Sequence, residues 1–186
     1  ALLPAPADLD LAQNTSLEML DVILDAARSL AHIIILDLPN GWTDWKRRLL
    51  LNADEVVLVA EPDLASLRNV KNLIDFLHAA RPEDLELRLV LNKVGLPRRP
   101  EMSAADFEKA LSLRPSAIIP HQAKIFGTAA NHGQSIADVD GAAKIQDILS
   151  LFAHQIAGSV ALSKPRFAGL KNWVGDLRHA LAARIG

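Results

Sequence analysis

Glu55-Val56-Val57-Leu58-Val59-Ala60-Glu61-Pro62-Asp63-Leu64 decides the fold. A short Val-rich apolar run with no internal charge is the signature of a strand buried on both faces, as in a parallel sheet. Pro62 ends it, and Asp63 stands where a helix N-cap belongs. Leu64–Ala80 then reads as a helix. Towards the carboxyl end, Leu87–Asn92 is a further apolar strand, followed by the basic, Pro-rich loop Pro97-Arg98-Arg99-Pro100. A helix follows over Ser103–Leu111, with Ser103 as cap and Asp106 at the capping-box position. Ser116–Pro120 is another strand. Phe126–Gly133 reads as loop and turn, before a helix around Ala142–Ile156.

Towards the amino end, Thr43–Leu51 fits a short helix, and His32-Ile33-Ile34-Ile35-Leu36-Asp37-Leu38 reads as a buried strand broken by Pro39-Asn40-Gly41. Before it, Leu17, Leu20, Ile23, Leu24, Ala27 and Leu30 recur at helical spacing behind Ser16. Strands and helices alternating at this spacing imply βαβ units: an α/β fold with a mostly parallel sheet, helices on both faces and right-handed crossovers.

The 186 residues amount to one domain with a tail, and half of them are hydrophobic, which excludes a disordered chain. No run approaches the roughly 18 consecutive apolar residues of a membrane span. Cysteine is absent, which excludes disulfides and thiolate metal sites. A formal net charge of −2 excludes a chain that coats nucleic acid along its whole length. The first residue is Ala, and Ala1-Leu2-Leu3-Pro4 reads as the end of a strand. The expectation is a chain that starts inside a longer protein.

Two parts are expected: an α/β domain over 1–160 and a tail over 161–186. Residues 163–186 carry Lys164, Arg166, Lys171, Arg178 and Arg184 against the single acid Asp176. Phe167, Leu170, Val174, Leu177, Leu181 and Ile185 form one apolar stripe at steps of three and four, with Trp173 beside it. A basic amphipathic helix of this kind packs on its own domain, docks a partner, or lies on an anionic membrane.

In open α/β sheets, ligands bind beyond the carboxyl ends of the strands. Three expected strand ends carry candidates. Asp37-Leu38-Pro39 places a carboxylate where Mg²⁺ is held through water, or simply caps a turn. Asn92-Lys93 offers a carboxamide with one donor and one acceptor for a base edge, or a turn-forming Asn. Pro120-His121 reaches the same edge. No G-x-x-x-x-G-K-[ST] phosphate loop occurs, and Gly127-Thr128-Ala129-Ala130-Asn131-His132-Gly133 has no Lys. The six histidines make no H-x-x-x-H or H-x-H pair, and there is no G-x-S-x-G nucleophile elbow. Arg47-Arg48 and Arg98-Arg99 read as exposed basic pairs.

Asp37-Leu38-Pro39, the run Ala53–Asn69 with its Leu64-Ala65-Ser66-Leu67-Arg68-Asn69, and Leu89-Val90-Leu91-Asn92-Lys93-Val94 together resemble the MinD/ParA-like (deviant Walker) ATPases. Ile118-Ile119-Pro120 and Phe126–Gln134 look most like the CpaE/TadZ branch, the pilus-assembly proteins of the Tad (Flp) system. The resemblance covers about residues 1–157 and the carboxyl-terminal half of such a protein, without its P-loop. It implies ATP and Mg²⁺ as ligands, a homodimer formed around nucleotide, and a localisation factor that recruits pilus and secretion machinery. By position, Asp37 corresponds to the Asp near Mg²⁺, Asn92 to the Asn that reads adenine, and Lys93, Pro120 and His121 to the segments beside the base. Relatives often carry an acid after the Pro where His121 stands here.

The resemblance further implies a cytoplasmic protein, at a cell pole and peripheral to the inner membrane. The parent protein is an ATPase on this reading, and the chain alone is expected not to hydrolyse ATP. Rival readings are a nucleotide-independent scaffold of the same family, a partition-type ATPase associated with DNA, and an unrelated α/β enzyme. The near-neutral charge speaks against the DNA reading.

Overall fold

The computed structural model describes residues 17–39, 41–81 and 86–158. The element order is α1 (Leu17–Leu30), α2 (Asp44–Asn52), β1 (Glu55–Ala60), α3 (Leu64–Ala80), β2 (Glu86–Val94), α4 (Ala104–Leu111), β3 (Pro115–Pro120), α5 (Ala123–His132), a single 3₁₀ turn (Ile136–Asp138) and α6 (Ala143–Ile156). The three strands form one parallel sheet in the order β1-β2-β3. The α/β class and the parallel sheet flanked by helices are therefore as the sequence pattern implies.

Local chemistry explains the boundaries. Asp63 accepts a hydrogen bond from the Ser66 amide at 2.7 Å and starts α3 immediately after β1. Ser103 and Asp106 form a reciprocal capping box at α4, with the Asp106 amide donating to Ser103 Oγ at 3.1 Å. The Ser103 hydroxyl is the main reason that the Asp106 carboxyl is held below its ordinary pKa. Thr43 caps α2, whose Lys46 is almost fully buried and donates to the Gly41 carbonyl at 3.1 Å. Trp42 meets Phe76 edge-on at 4.9 Å, tying the start of α2 to α3.

The core lies between one face of the sheet and α3 and α4. Val56, Leu58 and Ala60 of β1 face Leu67, Val70, Ile74 and Leu77 of α3, together with Leu89 and Leu91 of β2. Phe107 and Leu111 of α4 close the cluster. Burying one such side chain stabilises the fold by about 1.5–3 kcal/mol.

Three expectations are corrected. Residues 32–38 are not a strand: they run as irregular chain, with Ile33, Ile35 and Leu36 exposed. A strand is made by a ladder partner, and no strand among the described residues pairs with this segment. Likewise, β1 is buried on one face, not two: Val57 and Val59 are exposed. Residues 126–132 are helical rather than loop and turn. Gly127 costs a helix about 1 kcal/mol relative to Ala, which the flanking alanines and the left-handed C-cap at Gly133 (φ +60°) outweigh. The tail helix over 163–186 and the domain boundary at 160 lie outside the described residues, as does the strand end at Ala1–Pro4.

Candidate functional site

Parallel strands end together, so β2 and β3 deliver their carboxyl termini to one edge. Val94 is in register with Pro120, and the His121 amide donates to the Val94 carbonyl at 2.7 Å. This places Pro120 and His121 beside the Asn92–Val94 segment, so four of the five sequence candidates converge. Asp37 is the exception. It sits on the exposed irregular segment, and among the described residues no hydrogen bond or ion pair joins it to the other four.

Asn92 is half-buried, and its Oδ1 accepts from the Lys93 amide at 2.8 Å. Among the described residues its Nδ2 donates to nothing, so a donor is left at the strand edge. Lys93 departs from β geometry with φ +55°, a left-handed conformation that costs a residue with a side chain about 1 kcal/mol or more. Its Nζ pairs with Glu61 Oε1 at 2.6 Å, across the carboxyl end of β1.

The loop after β2 adds residues that sequence reading misplaced. Arg99 is not an exposed member of a basic pair. Its side chain is 18% exposed and its guanidinium bonds Glu61, the Lys93 carbonyl at 2.9 Å and Glu101 at 3.0 Å. Glu101 in turn accepts from the Gly95 amide at 2.9 Å and the Leu96 amide at 3.0 Å. The carboxyl of Glu61 is held below the usual carboxylate range, chiefly by its bond from Lys93. That of Glu101 is lowered chiefly by the Gly95 amide. Glu101 on its bonds to the Arg99 fork also raises the Arg99 pKa. The sequence signal for this cluster was slight: an arginine pair between Pro97 and Pro100, with Glu101 directly after.

The ligands implied by the resemblance fit unevenly. A free carboxamide donor at a strand edge suits the rim of a planar heterocycle. Mg²⁺ takes one or two carboxylates with phosphate and water oxygens. Asp37 alone meets the minimum, and no group of three or more His, Asp or Glu side chains among the described residues forms a metal site by itself. The 186 residues contain no G-x-x-x-x-G-K-[ST] phosphate loop.

No family model and no curated protein sequence matches the chain. Solved structures do match. A ParA family ATPase from Chlorobium tepidum superposes with a TM-score of 0.69 at 21% identity, over 83% of this chain and 62% of that one. The septum site-determining protein MinD from Pyrococcus horikoshii, complexed with Mg-ADP, gives 0.65 at 17% identity, over 89% and 63%. MinD in the MinC:MinD cell division complex of Aquifex aeolicus gives 0.61 at 18%, over 80% and 62%. The chain thus has the fold of ParA/MinD-type ATPases and spans less than two thirds of the length of these neighbours. No helix among the described residues is long and apolar enough to cross a membrane.

Proposed function

We propose that this chain is part of a nucleotide-responsive localisation factor of the ParA/MinD type, of the CpaE/TadZ pilus-assembly branch. The observation that carries the reading is the convergence of Asn92, Lys93, Pro120 and His121 at the carboxyl edge of a parallel sheet, where ligands of open α/β folds bind. On this reading the base of ATP lies against β2 and β3, and Asn92 Nδ2 donates to an acceptor on its rim. Asp37 is the carboxylate nearest Mg²⁺, through water. Nucleotide shifts the population of a homodimer, and the dimer recruits pilus and secretion proteins. The protein acts in the cytoplasm, at a cell pole and on the inner membrane surface, with residues 163–186 as the membrane or partner contact.

The test is Mg-ATP binding to the protein in its natural length, wild type beside Asn92→Ala. The expected result is a loss of at least about tenfold on substitution, about 1.4 kcal/mol. Wild-type protein that binds no ATP overturns the reading. It would favour the second one, a nucleotide-independent scaffold. On either reading the 186-residue chain by itself does not turn over ATP. Phosphate release faster than about 10⁻³ s⁻¹, far below ordinary enzyme rates, contradicts that.

A further inference from the structure

We propose that Arg99 is a positioning residue for nucleotide recognition: by clamping the Lys93 carbonyl it sets the direction in which Asn92 presents its carboxamide. The proposal rests on the reading of Asn92 as the base contact.

Three bonds converge on Lys93. Its amide donates to Asn92 Oδ1 at 2.8 Å, its carbonyl accepts from Arg99 Nη2 at 2.9 Å, and its Nζ reaches Glu61 at 2.6 Å. The left-handed backbone at φ +55° is unfavourable for Lys and needs such support. Because the Asn92 carboxamide bonds the Lys93 amide, its orientation follows the Asn92–Lys93 peptide. Arg99 holds the next peptide, Lys93–Val94, by its carbonyl, and so fixes the left-handed Lys93 backbone that joins the two. Its own place is set by Glu61 and by Glu101, which also holds the Gly95 and Leu96 amides. Glu101 sits on its two amides and on Arg99 together, so the loop closes as a unit.

The cluster has two cations and two carboxylates and is balanced in charge. It therefore carries no excess positive charge to hold phosphate, which separates a clasp from an anion site. The planar guanidinium is needed because it spans three acceptors at once: Glu61, the Lys93 carbonyl and Glu101. A lysine ammonium is a point charge on a flexible stem and cannot reproduce that fork.

The experiment combines two readouts on the natural-length protein. Arg99→Met keeps the stem and removes the fork. Without nucleotide, amide hydrogen exchange at Lys93, Gly95 and Leu96 is expected to rise about tenfold or more in this variant, with α3 and β2 upstream unchanged. With ATP as probe, binding is expected to weaken about tenfold, with Arg99→Lys in between. The double variant Asn92→Ala/Arg99→Met is expected to bind no worse than Asn92→Ala, because Arg99 acts through Asn92. Additive losses, or exchange that Arg99→Met leaves unchanged, overturn the proposal. Faster exchange with ATP binding that is absent or indifferent to Asn92→Ala shows instead that the base reading has failed. The recognition role of Arg99 then falls with it, while the clasp itself stands.

Discussion

Two apolar stretches of this chain meet opposite fates. Residues 33–36, Ile-Ile-Ile-Leu, are more hydrophobic than residues 87–91 of β2, Leu-Arg-Leu-Val-Leu. Yet Ile35 is 85% exposed while Leu89 is fully buried. The difference is pairing. β2 has a parallel neighbour on each side and α3 and α4 over one face. Residues 32–38 have no ladder partner among the described residues. The same contrast runs through β1, where Val56 and Leu58 are buried and Val57 and Val59 face out. Hydrophobicity sets the drive to be covered, and geometry decides whether a cover is present.

Core truncation is the strongest way to sharpen this comparison. Phe107→Ala, at a fully buried ring, is expected to cost about 3–5 kcal/mol in denaturant unfolding. Ile35→Ala is expected to cost less than about 0.5 kcal/mol. Equal losses would mean that residues 32–38 are packed in solution. A second test concerns the uncovered apolar face of β1. Edges and faces without charge invite association. Val59→Lys is expected to raise the monomer fraction in light scattering at high concentration, with stability nearly unchanged. Wild-type protein that stays monomeric there removes the argument.

Helix caps come next. Asp63→Ala and Ser103→Ala are each expected to lose about 1 kcal/mol, read by thermal or denaturant unfolding. Smaller again is the acid dependence. Glu61, Glu101 and Asp106 have folded-state pKa values below their ordinary ones, 4.5 for the glutamates and 3.8 for Asp106. Their contribution is complete above those values and is lost as pH falls through the lowered ones. Glu101→Gln is expected to flatten the acid limb of a stability-against-pH curve. An unchanged limb would show that the clasp adds nothing to folding.

Much of the fold was legible in single residues. Asp63 after Pro62 announces α3, and Ser103 with Asp106 announces α4, because caps act within one turn of chain. That Asn92 and Pro120-His121 share one edge was legible because strands in a parallel sheet end together. Their proximity was visible once the strands were in order. Gly127 misled, since a glycine that breaks one helix is tolerated in another. Arg99 misled as well, because two adjacent arginines read as a solvated pair whatever lies across the sheet.

The sequence by itself determined where strands and helices alternate, which residues cap them, and therefore the parallel α/β class. Those are local signals, carried by periodicity and by hydrogen bonds between near neighbours. Among the described residues, tertiary structure alone decided that residues 32–38 stay unpaired, that Val57 and Val59 of β1 are left exposed, and that Glu61, Lys93, Arg99 and Glu101 meet. Each of these depends on partners more than 30 positions away or on a ladder between strands. Arg99 and Glu61 are 38 residues apart and bonded. No local pattern encodes such a meeting, because only the register of β1 against β2 brings the two ends of the chain segment together.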